Sequence, residues 1–174
     1  MQEHVHPGDE ILDLVDKNDK VIGQKPRSEI YAEGLTNFRV INAFLINSKG
    51  QLWIPRRGPH KRVFPSALAM SVGGHVETGE SYEQAFKREL KEELNLDPTS
   101  TPYRVLGKLT PRAHHVSAFM TVYEIKSDRA PAYNKEDFTE YFWLTPQQFF
   151  QRIARGDKSK EDLPKLIHFY YDEK

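Results

Sequence analysis

Residues 74–96 read GHVETGESYEQAFKRELKEELNL, a short glycine-bearing loop followed by a long helical pattern. Apolar residues recur in its second part at spacings of three and four, as on one face of an amphipathic helix. Ser81 is suited to cap this helix because Gln84, three residues later, completes a capping box. Asn95 tolerates the left-handed conformation that ends many helices. The pattern predicts a helix that begins at Ser81 and ends at Leu94.

Three glutamates occupy unusual places on this helix. At about 100° per residue, Glu89 and Glu93 fall within the apolar face and Glu92 lies at its edge. Burying neighbouring carboxylates costs several kcal/mol unless a cation compensates them, whereas a solvated helix face would carry no such cost. Carboxylates at i, i+3 and i+4 can share one hard cation, and the backbone carbonyls of Gly73 and Gly74 add oxygen ligands. An all-oxygen ligand set favours Mg²⁺ or Mn²⁺.

The same segment has a fixed spacing of glycine, glutamate, arginine and apolar residues. The matching positions are Gly74, Glu80, Arg88, Glu89, Leu90, Glu92, Glu93 and Leu96. This spacing resembles the Nudix box, with Asn95 where the family has glycine. Asparagine is the residue that next most readily adopts positive φ, so the departure affects no chemical role. The resemblance implies an α/β/α sandwich that binds a divalent metal and cleaves a diphosphate linkage with water.

The resemblance also implies a role for each matching polar residue. In the resembling family, Glu92 and Glu93 would bind the metal, and Glu89 would either bind the metal or act as general base. Arg88 would orient Glu89. Glu80 would brace the loop, and Gly74 would provide a carbonyl ligand. A diphosphate is rich in negative charge, so its cleavage requires cations and a positioned water. The expected cofactor is therefore Mg²⁺ or Mn²⁺.

The resemblance extends over roughly residues 10–155 to the branch of the family that is similar to isopentenyl-diphosphate isomerase. An isomerase is accordingly one alternative, and a non-catalytic nucleotide-binding module is another. The isomerases have a catalytic cysteine just before a Gly-His pair, where this chain has Gly73, and they degrade the Arg-Glu-x-x-Glu-Glu run that is intact here. Both differences favour the hydrolase, and the intact carboxylates also argue against a module that only binds.

Patterns elsewhere predict an α/β protein with a mixed sheet and an N-terminal β-hairpin. The hairpin is expected over residues 11–23, and further strands over residues 40–46, 51–54, 103–109, 116–125 and 141–144, with an apolar run at 67–72 leading into the glycine pair. Pro55 is expected to end the strand that precedes it. Thr145, Pro146 and Gln148 predict a second helix that stops near Gly156, and a third is expected over residues 161–171.

The composition excludes several classes of function. The chain of 174 residues has 25 basic and 25 acidic side chains and no cysteine, which excludes disulfides, zinc–thiolate sites and thiol nucleophiles. A formal net charge of zero provides no overall field for nucleic acid or membrane binding. The sequence predicts a soluble cytoplasmic protein with a flexible stretch at residues 1–9 and one domain at residues 10–174. A monomer and a homodimer both remain possible.

The substrate is expected to be a nucleoside di- or triphosphate, which the resembling branch suggests. A nucleoside diphosphate sugar or a dinucleotide such as ADP-ribose is the alternative. Basic residues after the strand that contains Trp53 either clamp phosphates or are merely solvated. The candidate substrate contacts are Arg56, Arg57, Lys61 and Glu136. Glu136 or its neighbour Asp137 is also a candidate for an additional carboxylate of the site.

Overall fold

The computed structural model describes residues 9–172, so most of the stretch predicted to be flexible lies outside the described residues. The helices and strands, in chain order, are β1 Ile11–Val15, β2 Val21–Pro26, α1 Arg27–Ala32, β3 Arg39–Ile46, β4 Leu52–Arg57, β5 Val72–His75, α2 Tyr82–Leu94, β6 Tyr103–Leu109, α3 Pro111–His114, β7 Phe119–Lys126, β8 Phe138–Leu144, α4 Pro146–Ala154 and α5 Leu163–Tyr171. Within these residues, no helix is both long and apolar enough to cross a membrane.

The central sheet is mixed. Its strands follow the order β6-β7-β3-β4-β8, and β5 pairs with β3. Strands β3 and β7 run parallel, whereas every other described pair is antiparallel. Strands β1 and β2 form the predicted N-terminal hairpin as a separate two-stranded sheet.

Strand β3 pairs with two different strands along one of its edges. It pairs with β4 at Ile46 and Leu52, and with β5 over Val40–Ala43. Because β4 and β5 use opposite ends of β3, the two strands diverge and leave room between them. The N–H of Gly73 in β5 donates to the carboxylate of Glu93 in α2. The glycine end of β5 and Arg57 at the end of β4 line a common pocket.

Each face of the sheet is covered by helices. One core joins α2 to the sheet and consists of Ile41, Ala43, Leu45, Trp53, Val72, Val76, Ala85, Phe86, Leu90, Leu94, Tyr123, Ile125 and Phe138. The other core joins α4 and α5 to the opposite face, with Phe149, Leu163, Leu166 and Ile167 against Phe44, Ile54, Met70, Met120 and Val122. The expected α/β/α sandwich is confirmed, and apolar burial on both faces holds the sheet between its helices.

The ends of α2 follow the predicted caps. Ser81 Oγ accepts a hydrogen bond from the N–H of Gln84, and the Gln84 side chain accepts one from the N–H of Ser81. Asn95 adopts the left-handed conformation with φ of 53° and stops the helix. These caps fix the first and last turns of α2, and therefore its register against the sheet.

Several bounds differ from the sequence-based expectation: the hairpin continues to Pro26, β7 begins at Phe119, β8 begins at Phe138 and α5 begins at Leu163. Strand β4 does not end at Pro55 but continues to Arg57, because β8 pairs with it over this stretch and the N–H of Arg57 donates to the carbonyl of Ala67. The carbonyl of Pro55 also accepts a hydrogen bond from the N–H of Ala69. Helices α1 and α3 were not predicted, since α1 buries only Ile30 and α3 spans four residues.

Candidate active site

A pocket of about 440 Å³ lies where β5, α2 and the segment before α5 meet. This volume falls within the range of small-molecule binding sites. Carboxylates of α2 line one side of the pocket, and basic side chains from the end of β4 and from the segment before α5 line the other. The pocket therefore combines the two kinds of charge that a phosphate-bearing ligand and its counter-cation require.

Arg88 organises the carboxylates of α2. Its Nε and Nη2 donate to both oxygens of Glu80 at 2.9 and 2.8 Å, and Nη2 also donates to the carbonyl of His75 at 3.0 Å. Its Nη1 contacts Glu89 at 2.8 Å and Glu92 at 3.5 Å. The hydrogen bond from Arg88 lowers the pKa of Glu80 despite the opposing effect of burial. Glu80 thus anchors Arg88 between the loop and the helix.

The two inward-facing glutamates lie against the glycine pair of β5. Glu93 Oε1 accepts a hydrogen bond from the N–H of Gly73 at 2.9 Å. A Cβ at position 74 would overlap the carboxylate of Glu89, so any larger residue there would displace this side chain. The glycines therefore let α2 approach β5 closely enough to bring both carboxylates to the pocket wall.

Burial raises the pKa of both glutamates. For Glu89, desolvation is the main cause and the charge of Glu93 adds to it, whereas Arg88 opposes it. For Glu93, desolvation is again the main cause, opposed by the N–H of Gly73. Glu92 differs, because 58% of its side chain is exposed. The pattern predicted from the helical wheel, two carboxylates inside and one at the edge, is thereby confirmed.

The donor set fits a hard divalent cation in its chemistry. Within residues 9–172, however, no three acidic or histidine side chains converge closely enough to form a metal cage. Arg88 Nη1 contacts both Glu89 and Glu92, while Glu93 is held by Gly73, so the three carboxylates are kept apart. Binding of a cation would therefore require Glu89 or Glu92 to exchange its contact with Arg88 for the metal.

The structure separates the four predicted substrate contacts into two pairs. Arg57 and Lys61 line the pocket, and Lys61 donates to Asp137 at 2.6 Å. Arg56 does not line it, because its guanidinium forms a two-pronged ion pair with Asp157 at 2.9 and 3.1 Å. Alternation along β4 explains this difference, since successive side chains point to opposite faces of a strand.

The acidic residues before β8 are also separated. Glu136 is exposed and lies outside the pocket lining, whereas its neighbour Asp137 is part of that lining. Of the two candidates for the additional carboxylate, only Asp137 lies at the pocket.

The sequence reasoning missed two basic residues of the pocket lining, Arg27 at the start of α1 and Lys160. Lys160 lines the pocket, although it lies 67 residues beyond Glu93 in the chain. No local motif surrounds it, and it is placed by a β-bridge between Leu68 and Ser159. Nearby, the buried carboxylate of Asp162 accepts hydrogen bonds from the N–H and hydroxyl of Ser117.

Comparisons with known proteins identify the family and the fold. The family model of the NUDIX domain matches residues 36–166. An uncharacterized Nudix hydrolase of Nostoc sp. is 56% identical over 162 residues, which cover 93% of this chain and 96% of the relative. A crystal structure of a protein from Deinococcus radiodurans superposes with a TM-score of 0.88 at 47% identity and covers 94% of this chain and 100% of that one. An isopentenyl-diphosphate Δ-isomerase of Photorhabdus laumondii is 28% identical over 144 residues, 78% of this chain and 77% of that enzyme.

Proposed function

Because the chain belongs to the Nudix family and is a hydrolase, we propose that it cleaves the diphosphate linkage of nucleoside di- or triphosphates with the help of Mg²⁺ or Mn²⁺. The observation that carries this proposal is the burial of Glu89 and Glu93 side by side on the wall of a pocket that also contains basic side chains. Two buried carboxylates without a full set of cationic partners favour a divalent cation as the missing counter-charge. We place the reaction in the cytoplasm on the composition argument given above.

The residues of the chain divide the catalytic work. Glu89, Glu92 and Glu93, with the carbonyl of Gly74, would hold the cation, which would neutralise phosphate oxygens and activate the attacking water. Arg88 positions Glu89 through a contact of 2.8 Å. Glu89 in its ionised form is also suited to accept the proton of that water.

Hydrolysis fits these residues better than isomerisation of an allylic diphosphate. The isomerases require a cysteine at the position of Gly73, and this chain contains none. A Cβ at position 73 would lie 3.0 Å from Asn42 Oδ1, so a longer side chain there would press on the buried Asn42. The chain therefore has no thiol that could protonate an alkene, whereas the three carboxylates of the hydrolytic motif are all present.

The basic side of the pocket supports a phosphate-rich substrate. Arg57 reaches the pocket from the end of β4, and its Nε donates to the carbonyl of Val63 at 3.1 Å. Its guanidinium forms no ion pair within residues 9–172, so its remaining N–H groups are suited to a ligand. Lys61 lies beside it. Planar guanidinium groups recognise phosphate oxygens in pairs, so Arg57 is suited to the phosphate chain of a nucleotide.

A release assay tests the proposal. Nucleoside diphosphates, triphosphates, nucleoside diphosphate sugars and ADP-ribose are incubated with the protein and Mg²⁺ or Mn²⁺, and the products are identified by chromatography. We expect cleavage of the di- or triphosphates and its loss in EDTA, restored by added metal. Full activity after thorough chelation would refute the metal dependence, and inactivity on the whole panel with either metal would refute the proposed reaction.

A further inference from the structure

The ammonium group of Lys160 lies beside the glycine pair in the pocket lining. Its Nζ lies 3.9 Å from the position that a Cβ on Gly73 would occupy. Within residues 9–172, no carboxylate lies within ion-pair distance of this Nζ. Burial lowers the pKa of Lys160 to about 8, and the charge of Arg57 contributes to this shift. Glu93 and Asp162 oppose this pKa shift through their charges, but neither forms an ion pair with Lys160 within the described residues.

The backbone holds Lys160 firmly in this place. Its N–H donates to the carbonyl of Leu68 at 2.9 Å, and the N–H of Leu68 donates to the carbonyl of Lys158 at 2.8 Å. Leu68 also forms a bridge to Arg56 of β4, so the segment that carries Lys160 is joined to the sheet. Because these hydrogen bonds fix the backbone at Lys158 and Lys160, the side chain of Lys160 extends into the pocket from a defined position.

Arg57 brings a second cation to the same pocket. Burial also lowers its pKa, and no described carboxylate lies within 4.0 Å of its guanidinium. Two neighbouring cations in a desolvated pocket repel each other, and an anion bound between them would relieve both the repulsion and the lost solvation. This site therefore selects for a ligand group of high negative charge.

We propose that Lys160, together with Arg57, binds the free terminal phosphate of the substrate and makes the enzyme selective for nucleotides that have one. This inference rests on the proposed function, because it concerns which diphosphates the same pocket accepts. A terminal phosphate carries a charge of about −1.5 to −2 near neutral pH. A phosphate that is esterified at both ends, as in a nucleoside diphosphate sugar or ADP-ribose, carries a single negative charge and compensates only one of the two cations.

Binding of imidodiphosphate tests this assignment without turnover. This non-hydrolysable diphosphate has no base, so its Kd, measured by calorimetry in Mg²⁺, is independent of base preference. We expect K160M to raise this Kd by about 10- to 100-fold, as befits the loss of a charge-assisted contact, and K160R to restore most of the affinity. Lys158 is the matched control, because it lies in the same segment but is exposed and outside the pocket lining. K158M should bind like the wild type.

Steady-state kinetics tests the selectivity. For the best-cleaved nucleoside diphosphate, K160M should raise KM by about 10-fold or more with kcat within about threefold. For the corresponding nucleoside diphosphate sugar, the change in KM should be several times smaller. A thermal melt of K160M checks folding, and K160R supplies the variant that keeps the charge if methionine disturbs the packing.

Three results would overturn the inference. They are an unchanged Kd of imidodiphosphate in K160M, an equal effect of K160M and K158M, and an equal rise in KM for the free and the esterified substrates. Failure of the proposed function is distinct from these, because it appears in the wild type as absence of diphosphate cleavage, whereas imidodiphosphate binding still reports on Lys160.

Discussion

Replacing Glu93 with glutamine should stabilise the metal-free protein while abolishing most of its activity. In the fold, Glu93 is buried and hydrogen-bonded to Gly73, and its pKa is raised above the ordinary value of 4.5. The folded carboxyl group therefore keeps a proton that the unfolded chain loses above about pH 4.5. Its contribution to stability is complete at lower pH and decreases as the pH rises through the folded pKa. The glutamine side chain keeps a carbonyl oxygen that can accept the hydrogen bond from the N–H of Gly73, and it does not ionise.

The size of the effect follows from the raised pKa. Burial raises the pKa of Glu93 to about 7, and since each tenfold change in a protonation equilibrium is worth about 1.4 kcal/mol, an ionised Glu93 costs up to about 3 kcal/mol at pH 8. The buried amide and the lost attraction to Lys160 oppose this gain. We therefore expect E93Q to raise the free energy of unfolding by about 1–2 kcal/mol in EDTA at pH 8, or Tm by about 2–8 °C. At pH 5 the difference should nearly vanish.

Thermal melts in EDTA at pH 5 and pH 8 measure this effect, with E92Q as the control. Glu92 also loses a carboxylate on the same helix, but it is 58% exposed, so the change should stay within about 0.5 kcal/mol. Added Mg²⁺ should raise the Tm of the wild type, by an amount equivalent to about 2.7 kcal/mol at 100 times Kd, and that of E93Q much less. We expect kcat of E93Q to fall by about 10³-fold.

Two outcomes would refute this reasoning. Equal Tm values for E93Q and the wild type at pH 8 would mean that the carboxyl group is not destabilised by burial. A kcat above about a tenth of the wild-type value would mean that Glu93 is not a ligand of the catalytic metal.

Three further changes test other parts of the site. G74A should lower kcat by about 10²-fold or more, because its Cβ would displace Glu89, whereas G23A, whose Cβ meets no atom within 4 Å, should leave kcat unchanged. R57M should raise KM by about 10-fold, whereas R56M should leave KM unchanged and lower the free energy of unfolding by about 1–3 kcal/mol, since Arg56 pairs with Asp157 away from the pocket. The rate at subsaturating substrate should rise from pH 6 to pH 8, because the buried carboxyl groups of α2 have raised pKa values and must ionise to bind metal; a pH optimum below 6 would contradict this.

The elements that the sequence predicted correctly have local causes. Helix α2 is specified by its own caps at Ser81 and Asn95 and by its own apolar spacing, so it needs no knowledge of distant residues. The same spacing places Glu89 and Glu93 on the buried face. Helix α1 lacks such signals, because Pro26 provides no side-chain cap and Ile30 is its single buried residue.

Strand β4 shows where local signals mislead. Pro55 usually marks the end of a strand, and the sequence alone offers no reason to continue it to Arg57. The strand continues because the segment around Leu68 and strand β8 provide partners on both sides. This extension decides which of two adjacent arginines faces the pocket, since alternation along the strand turns Arg57 toward the pocket and Arg56 toward Asp157.

The two sides of the pocket therefore differ in how much the sequence reveals. The carboxylates come from one helix, where a fixed periodicity converts spacing in the chain into position in space. The cations come from α1, from β4 and the loop after it, and from the segment at Lys160, which hydrogen bonds to Leu68 and the ion pair of Arg56 with Asp157 join to β4. A contact between distant segments produces no periodic pattern in the sequence, so Lys160 can be identified as a site residue only from the folded structure. The carboxylates that we propose to bind the metal are thus specified locally, whereas the cations that we propose to bind the phosphate are brought together only by tertiary structure.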